Sequence, residues 1–172
     1  MNEQLRRILP KVQKPARYVG GEYRQIMKDP AQVDVRVAFC FPDTYEIGMS
    51  NLGMRILYGV INRMERVWCE RVFAPWGDME EQMRTNQIPL WALESGDSVR
   101  DFDVIAFSVG YEMSYTNILN MLLLSDVPLH AADRHDLKNL VIAGGTCMYN
   151  PEPLADFIDI CSLGEGEEVT VE

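Results

Sequence analysis

The sequence predicts an α/β fold: a doubly wound, Rossmann-like parallel sheet of about five strands in flavodoxin-like order, with helices on both faces. Three observations carry this. Short apolar runs alternate with segments of helical period along most of the chain, the pattern that pairs strands in parallel through right-handed crossovers. Several of these runs are apolar nearly throughout, as strands covered on both faces are. The composition, 172 residues with 47% hydrophobic and 24% charged side chains, is that of one globular domain with a single core.

Residues 1–32 precede the pattern as a basic arm, and residues 33–172 form the domain. Val33 to Phe41 starts as an alternating strand and ends fully apolar, which suits entry into a covered sheet. After a loop, Ser50 is the expected N-cap of a helix whose apolar positions Ile56, Leu57, Val60, Ile61 and Met64 repeat at threes and fours. Val67 to Ala74 reads as the second strand, Asp78 to Asn86 as a polar helix, and Pro89 to Leu93 as a short apolar piece. Asp103 to Val109 is the clearest buried strand. Ser114 to Leu124 follows as a helix, Leu140 to Ala143 as the fourth strand and Ile158 to Ser162 as the fifth.

Charge narrows the function classes. The formal net charge is -10, yet residues 1–28 hold seven basic side chains against Glu3 and Glu22, a local net of +5. From Glu152 onward there are seven acids and no Lys or Arg. A body this acidic argues against nucleic acid as a partner of this domain. The arm either touches RNA or packs on the acidic body or a neighbouring domain. No apolar run reaches the roughly 18 residues a membrane helix needs, and the start of the chain carries charges where a secretory signal would be apolar. A cytoplasmic protein with no membrane partner is therefore expected. Cys40, Cys69, Cys147 and Cys161 stand singly, with no spacing for zinc or an iron-sulfur cluster, and are expected to be reduced, buried thiols.

Ligands of such sheets sit beyond the carboxyl ends of the strands, so the loops there are the place to look. The loop after the first strand carries Asp43, Tyr45, Gly48 and Gly53, a shaped turn ahead of a helix N-terminus or simply a helix entry with Asp43 in a turn. It matches neither dinucleotide nor P-loop fingerprints. After the third strand come Ser108, Gly110, Tyr111 and Tyr115, a wall for a flat ligand or a cap on the core. After the fourth, Gly144, Gly145 and Thr146 let a backbone lie flat against something bulky or form a tight turn. Glu165 and Gly166 precede a last helix, where acids suit the dipole. His130 and His135 lie at the amino end of a strand, the wrong edge for a ligand. With no base beside a nucleophile and no metal cluster, no catalytic residue and no metal ligand is assigned.

Taken together, Phe-Ser-Val at 107–109, Gly-Gly-Thr-Cys-Met-Tyr-Asn-Pro-Glu-Pro at 144–153 and Asp-Ile-Cys-Ser-Leu-Gly-Glu-Gly-Glu at 159–167 resemble the cobalamin-binding-type domain that precedes the barrel of many radical SAM proteins. Lys-Pro-Ala-Arg-Tyr-Val-Gly-Gly-Glu at 14–22 and Phe-Ala-Pro-Trp at 73–76 resemble one bacterial subfamily of it. The resemblance implies a cobalamin on the carboxyl edge, its nucleotide tail threaded between strands and its corrin facing a barrel that binds SAM and an iron-sulfur cluster. Related cobalamin domains carry D-x-H-x-x-G after the first strand, the histidine ligating cobalt from below. Here Asp43 and Gly48 match, but Tyr45 stands in place of the histidine, and a phenol with pKa about 10 is a poor substitute for imidazole.

The resemblance thus implies a cobalamin without a lower histidine, as in radical SAM methylases that pass a methyl group from SAM through cobalt. Equally, a domain that kept the fold and lost the cofactor would show this substitution. By matched loops, Asp43, Tyr45 and Gly48 shape the lower face, and Ser108, Gly110 and Tyr111 border the tail. Gly144, Gly145 and Thr146 allow close approach, while Glu165 and Gly166 close the rim. The chain has no C-x-x-x-C-x-x-C, so the resemblance implies that cluster, SAM site and substrate pocket belong to a downstream radical SAM domain, the expected partner, and that this module does no chemistry of its own. Two alternatives remain: an empty scaffold that docks on the barrel or helps hold an RNA or protein substrate, and a flavodoxin-like binder of another phosphate-bearing cofactor, which the missing Ser/Thr-rich phosphate loop disfavours.

Overall fold

In the computed structural model, residues 3–135 and 138–170 are described. The five apolar runs form β1 (Val35–Phe41), β2 (Val67–Phe73), β3 (Val104–Ser108), β4 (Leu140–Gly144) and β5 (Ile160–Ser162). All pair in parallel, in the order β2-β1-β3-β4-β5, the flavodoxin-like order expected. Strand alternation divides the core between two faces. Ala38, Cys40, Val72, Ile105, Phe107, Val141 and Ala143 pack with Met79 and Met83 of α4 (Gly77–Asn86) and with Ile118, Met121 and Leu122 of α5 (Tyr115–Leu124). Val37, Phe39, Phe41 and Cys69 face Met54, Tyr58 and Ile61 of α3 (Leu52–Asn62).

One local expectation is corrected. Asn51, not Ser50, caps α3: its Oδ1 accepts from Met54 N at 2.9 Å. Ser50 instead ends a separate short helix, α2 (Tyr45–Ser50), so much of the loop after β1 is helical. Its hydroxyl donates to Ile47 O, the local bond that lets serine close a helical turn.

The arm wraps the sheet's edge. Leu5 and Ile8 of α1 (Glu3–Ile8), with Val12, are buried in the α4/α5 layer, whereas Ile26 packs against the α3 layer. Between them, Tyr18 meets Trp91 edge to face. Lys28 Nζ donates to Asn62 O, Met64 O and Val67 O at 3.0, 2.7 and 2.6 Å, a cation placed on the free carbonyls after α3. Trp68 Nε1 donates to Ile26 O, and Ile26 N to Tyr58 Oη. Much of the arm's charge is thus spent on the domain itself.

Edge strand β2 is shielded by residues 91–95. Leu93 N donates to Arg71 O at 2.8 Å, and Arg71 N to Glu94 Oε2 at 2.7 Å. Glu94 Oε1 also accepts from Arg71 Nε, while Glu70 pairs with Arg36, whose guanidinium lies between the Trp68 and Phe102 rings. Charges at mid-strand are thereby buried only in pairs, the condition under which buried charge is tolerated. The covered edge has few free backbone groups left to recruit another strand.

Candidate functional site at the carboxyl edge

Past β1, Asp43 N donates to Phe41 O at 2.8 Å and Asp43 O accepts from Ala74 N at 3.0 Å, so the turn is fixed to the end of β2. The Asp43 carboxylate accepts from Thr44 N through one oxygen and from Tyr111 Oη through the other. That contact and burial hold the Tyr111 phenol up at about 12.

Tyr45, at the start of α2, points to the arm. Its hydroxyl donates to Glu22 Oε1 at 2.6 Å, and its ring meets Phe73 edge to face at 5.6 Å. Burial, then the Glu22 carboxylate, push its phenol up to about 12. The next residue, Glu46, pairs with Arg17 and Lys14. Gly48 is set by packing: a Cβ there would stand 2.2 Å from the Phe73 ring.

The loops past β3 and β4 are joined. Val109 N donates to Gly144 O, Cys147 N to Val109 O, and Thr146 Oγ1 to Gly110 O. Gly145 has φ +110°, and a Cβ there would lie 2.6 Å from Val109 O, so its glycine is required by the backbone beside it. Gly110 and Gly144 differ. A Cβ at Gly110 meets nothing within 4 Å, and one at Gly144 makes only ordinary contact with Ser162 at 3.7 Å.

Register aligns Ser108 with Gly144 and Gly144 with Ser162. The three form one half-buried row on the α3 side of the sheet, at its carboxyl end. Among the described residues neither serine hydroxyl has a hydrogen-bond partner. Ser162 is a residue that sequence reasoning missed; its signal was its place at the end of the fifth strand. Glu165 is exposed ahead of the short α6 (Gly166–Val169), and Gly166 sits close to Leu57 of α3.

Each loop beyond a strand also presents an exposed apolar side chain: Ile47, Trp76, Met113, Tyr149 and Leu163, with Met113 88% and Tyr149 79% exposed. The structure therefore brings Ser108, Gly110, Tyr111, Gly144 and Thr146 together with Asp43, and turns Tyr45, Gly48 and Gly145 toward internal partners. His130 stacks on Phe157 away from this edge. Among the described residues no cluster of His, Cys, Asp or Glu is placed to hold a metal ion. Among the described residues, no helix is long and apolar enough to cross a membrane.

The fold and this edge define a class: a doubly wound α/β module with exposed apolar side chains in the loops at its carboxyl edge. Residues 53–172 match the family of radical SAM proteins' N-terminal regions. The chain belongs to that family and is a module of a radical SAM protein. It is similar to an uncharacterised protein of Methanocaldococcus jannaschii, 24% identical over 132 residues, which are 76% of this chain and 24% of that protein. The chain thus spans about a quarter of the length of this curated relative. No solved structure matches the chain.

Proposed function

We propose that this module seats a cobalamin on the carboxyl edge of its sheet, without a histidine below the cobalt, and turns that edge toward a linked radical SAM domain. The observation that carries the reading is the Ser108–Gly144–Ser162 row. It is half-buried, its two hydroxyls have no protein partner among the described residues, and its central residue has no Cβ. A polar notch of this kind receives a ligand's polar tail, while the Met113, Tyr149 and Leu163 side chains supply the apolar contact a corrin needs. Gly110 leaves room beside the notch. The bound group would supply a cobalt able to carry a methyl group; this chain's residues would bind and orient it, and SAM and an iron-sulfur cluster would belong to the linked domain.

Tyr45 is engaged with Glu22, which supports a lower face without a protein ligand to cobalt. A second reading is favoured by the bridge between the β1 and β3 loops, where Tyr111 meets Asp43 and Asn117 Nδ2 reaches Pro42 O at 2.9 Å. On that reading the module is a cofactor-free scaffold that docks on the linked domain through the same rim. Anaerobic titration of the protein with hydroxocobalamin, followed by visible absorption and calorimetry, separates the two. Saturable binding abolished by Gly144→Leu, with circular dichroism unchanged, supports the cobalamin seat. Absence of binding by the unaltered whole protein refutes it in favour of the scaffold.

A further inference from the structure

The loops after β1 and β3 leave the sheet for opposite faces, the first into α2 and α3 and the second into α5. Between such loops a doubly wound sheet opens for ligands. Here the opening is spanned twice, by contacts of different character. Asn117 is half-buried in the first turn of α5, and its bond to Pro42 O fixes that helix to the end of β1. Tyr111 is 38% exposed and follows Gly110, where nothing crowds the backbone. The Asp43 end of the second contact cannot easily move, because its N–H, its carbonyl and its other carboxylate oxygen are all bonded to neighbours. The Tyr111 carbonyl accepts from Ser114 N and Oγ and the Gly110 carbonyl from Thr146 Oγ1, so the group left to move is the exposed Tyr111 side chain. Three residues earlier on the same chain, at the end of β3, Ser108 begins the polar row.

We infer that the Tyr111–Asp43 hydrogen bond is a latch across the β1/β3 crevice, closed in the free protein and released when the Tyr111 side chain swings aside to admit a ligand to the Ser108–Gly144–Ser162 row. The inference rests on the cobalamin reading of that row. The phenol keeps its proton up to about pH 12, so below that it can donate to Asp43. A single exposed, charge-assisted bond of this kind favours the closed form by about tenfold. Where the open form stays the minor one in both proteins, removing it raises the binding-competent fraction by the same factor.

The test compares the whole unaltered protein with Tyr111→Phe and Asp43→Asn, using two readouts. Stopped-flow mixing with hydroxocobalamin should show association about tenfold faster for Tyr111→Phe, and faster to a smaller degree for Asp43→Asn, with dissociation unchanged. Hydrogen exchange without cofactor should rise in residues 110–114 of the Tyr111→Phe protein and stay unchanged in β4 and in α5. Unchanged association, or faster dissociation, overturns the latch by making Tyr111 a bystander or a contact of the bound ligand. Exchange that does not change overturns the latch even where cobalamin binds. Failure of all three proteins to bind hydroxocobalamin overturns the cobalamin reading itself and the gating role with it.

Discussion

Replacing Gly145 by alanine should destabilise the protein by about 3 kcal/mol. The residue has φ +110° and ψ 178°, a backbone region open in practice to glycine alone, where an L side chain costs about 1–3 kcal/mol. The added methyl would also stand 2.6 Å from Val109 O and 3.0 Å from Val109 C, so the loops past β3 and β4 must separate. Separation endangers the bonds from Val109 N to Gly144 O and from Cys147 N to Val109 O, worth about 1 kcal/mol each. Against this, alanine restricts the unfolded chain and returns about 0.4–1 kcal/mol. Urea unfolding followed by circular dichroism measures the difference. For a domain of this size the same loss lowers Tm by about 6–12 °C. Gly144→Ala is the internal control, since its Cβ meets only Ser162 at 3.7 Å, and should change stability by under about 1 kcal/mol. Equal stability of Gly145→Ala and the unaltered protein would refute the assignment of Gly145 to backbone packing. It would return that glycine to the list of positions kept for a ligand.

Lys28→Met removes three bonds to carbonyls beyond α3; a loss of about 2 kcal/mol is expected, with limited proteolysis cutting first within residues 19–32. Glu94→Ala leaves Arg71 buried without its carboxylate and should cost about 3–5 kcal/mol by urea unfolding, whereas Glu94→Gln, which keeps an acceptor, should cost less. Burial pushes the Cys40 and Cys69 thiols up, and Cys147 is buried too, while Cys161 is half-exposed. A thiol reagent at pH 8 should therefore modify only Cys161 in the native protein and all four cysteines after unfolding.

The strand pattern was legible because a sheet covered on both faces writes nearly continuous apolar runs, and each run became a strand within two residues of its expected bounds. The helix start after β1 was misread because Ser50 and Asn51 are both capping residues; only the orientation of a side chain relative to Met54 N chooses between them. The charged residues inside β1 and β2 gave a signal that apolar counting passes over. Arg36, Glu70 and Arg71 interrupt otherwise buried strands, which marks β2 as an edge whose charges need partners from another segment, here residues 94–97. In the candidate site, loop membership could be read but side-chain direction could not. Tyr45 and Gly48 belong to the loop that motif comparison selects, yet their contacts are with Glu22 and Phe73, residues distant in sequence.

That last pair of contacts bears on what a tyrosine does at position 45. The arm carries Gly20 and Gly21 at positive φ, and a Cβ at Gly20 would lie 2.3 Å from Leu93 O. These glycines let the chain press against the segment that covers β2 and bring Glu22 within 2.6 Å of the Tyr45 hydroxyl. Arg17 and Lys14 fasten the following residue, Glu46. The Lys-Pro-Ala-Arg-Tyr-Val-Gly-Gly-Glu stretch and the residues after β1 are therefore one structural unit, in which the arm holds α2 by its first turn. A side chain held there by a carboxylate is aimed along the β2 edge and away from the β1/β3 crevice. Position 45 is thereby committed to the arm through Glu22, while the β1/β3 crevice is spanned by Asp43 and Tyr111.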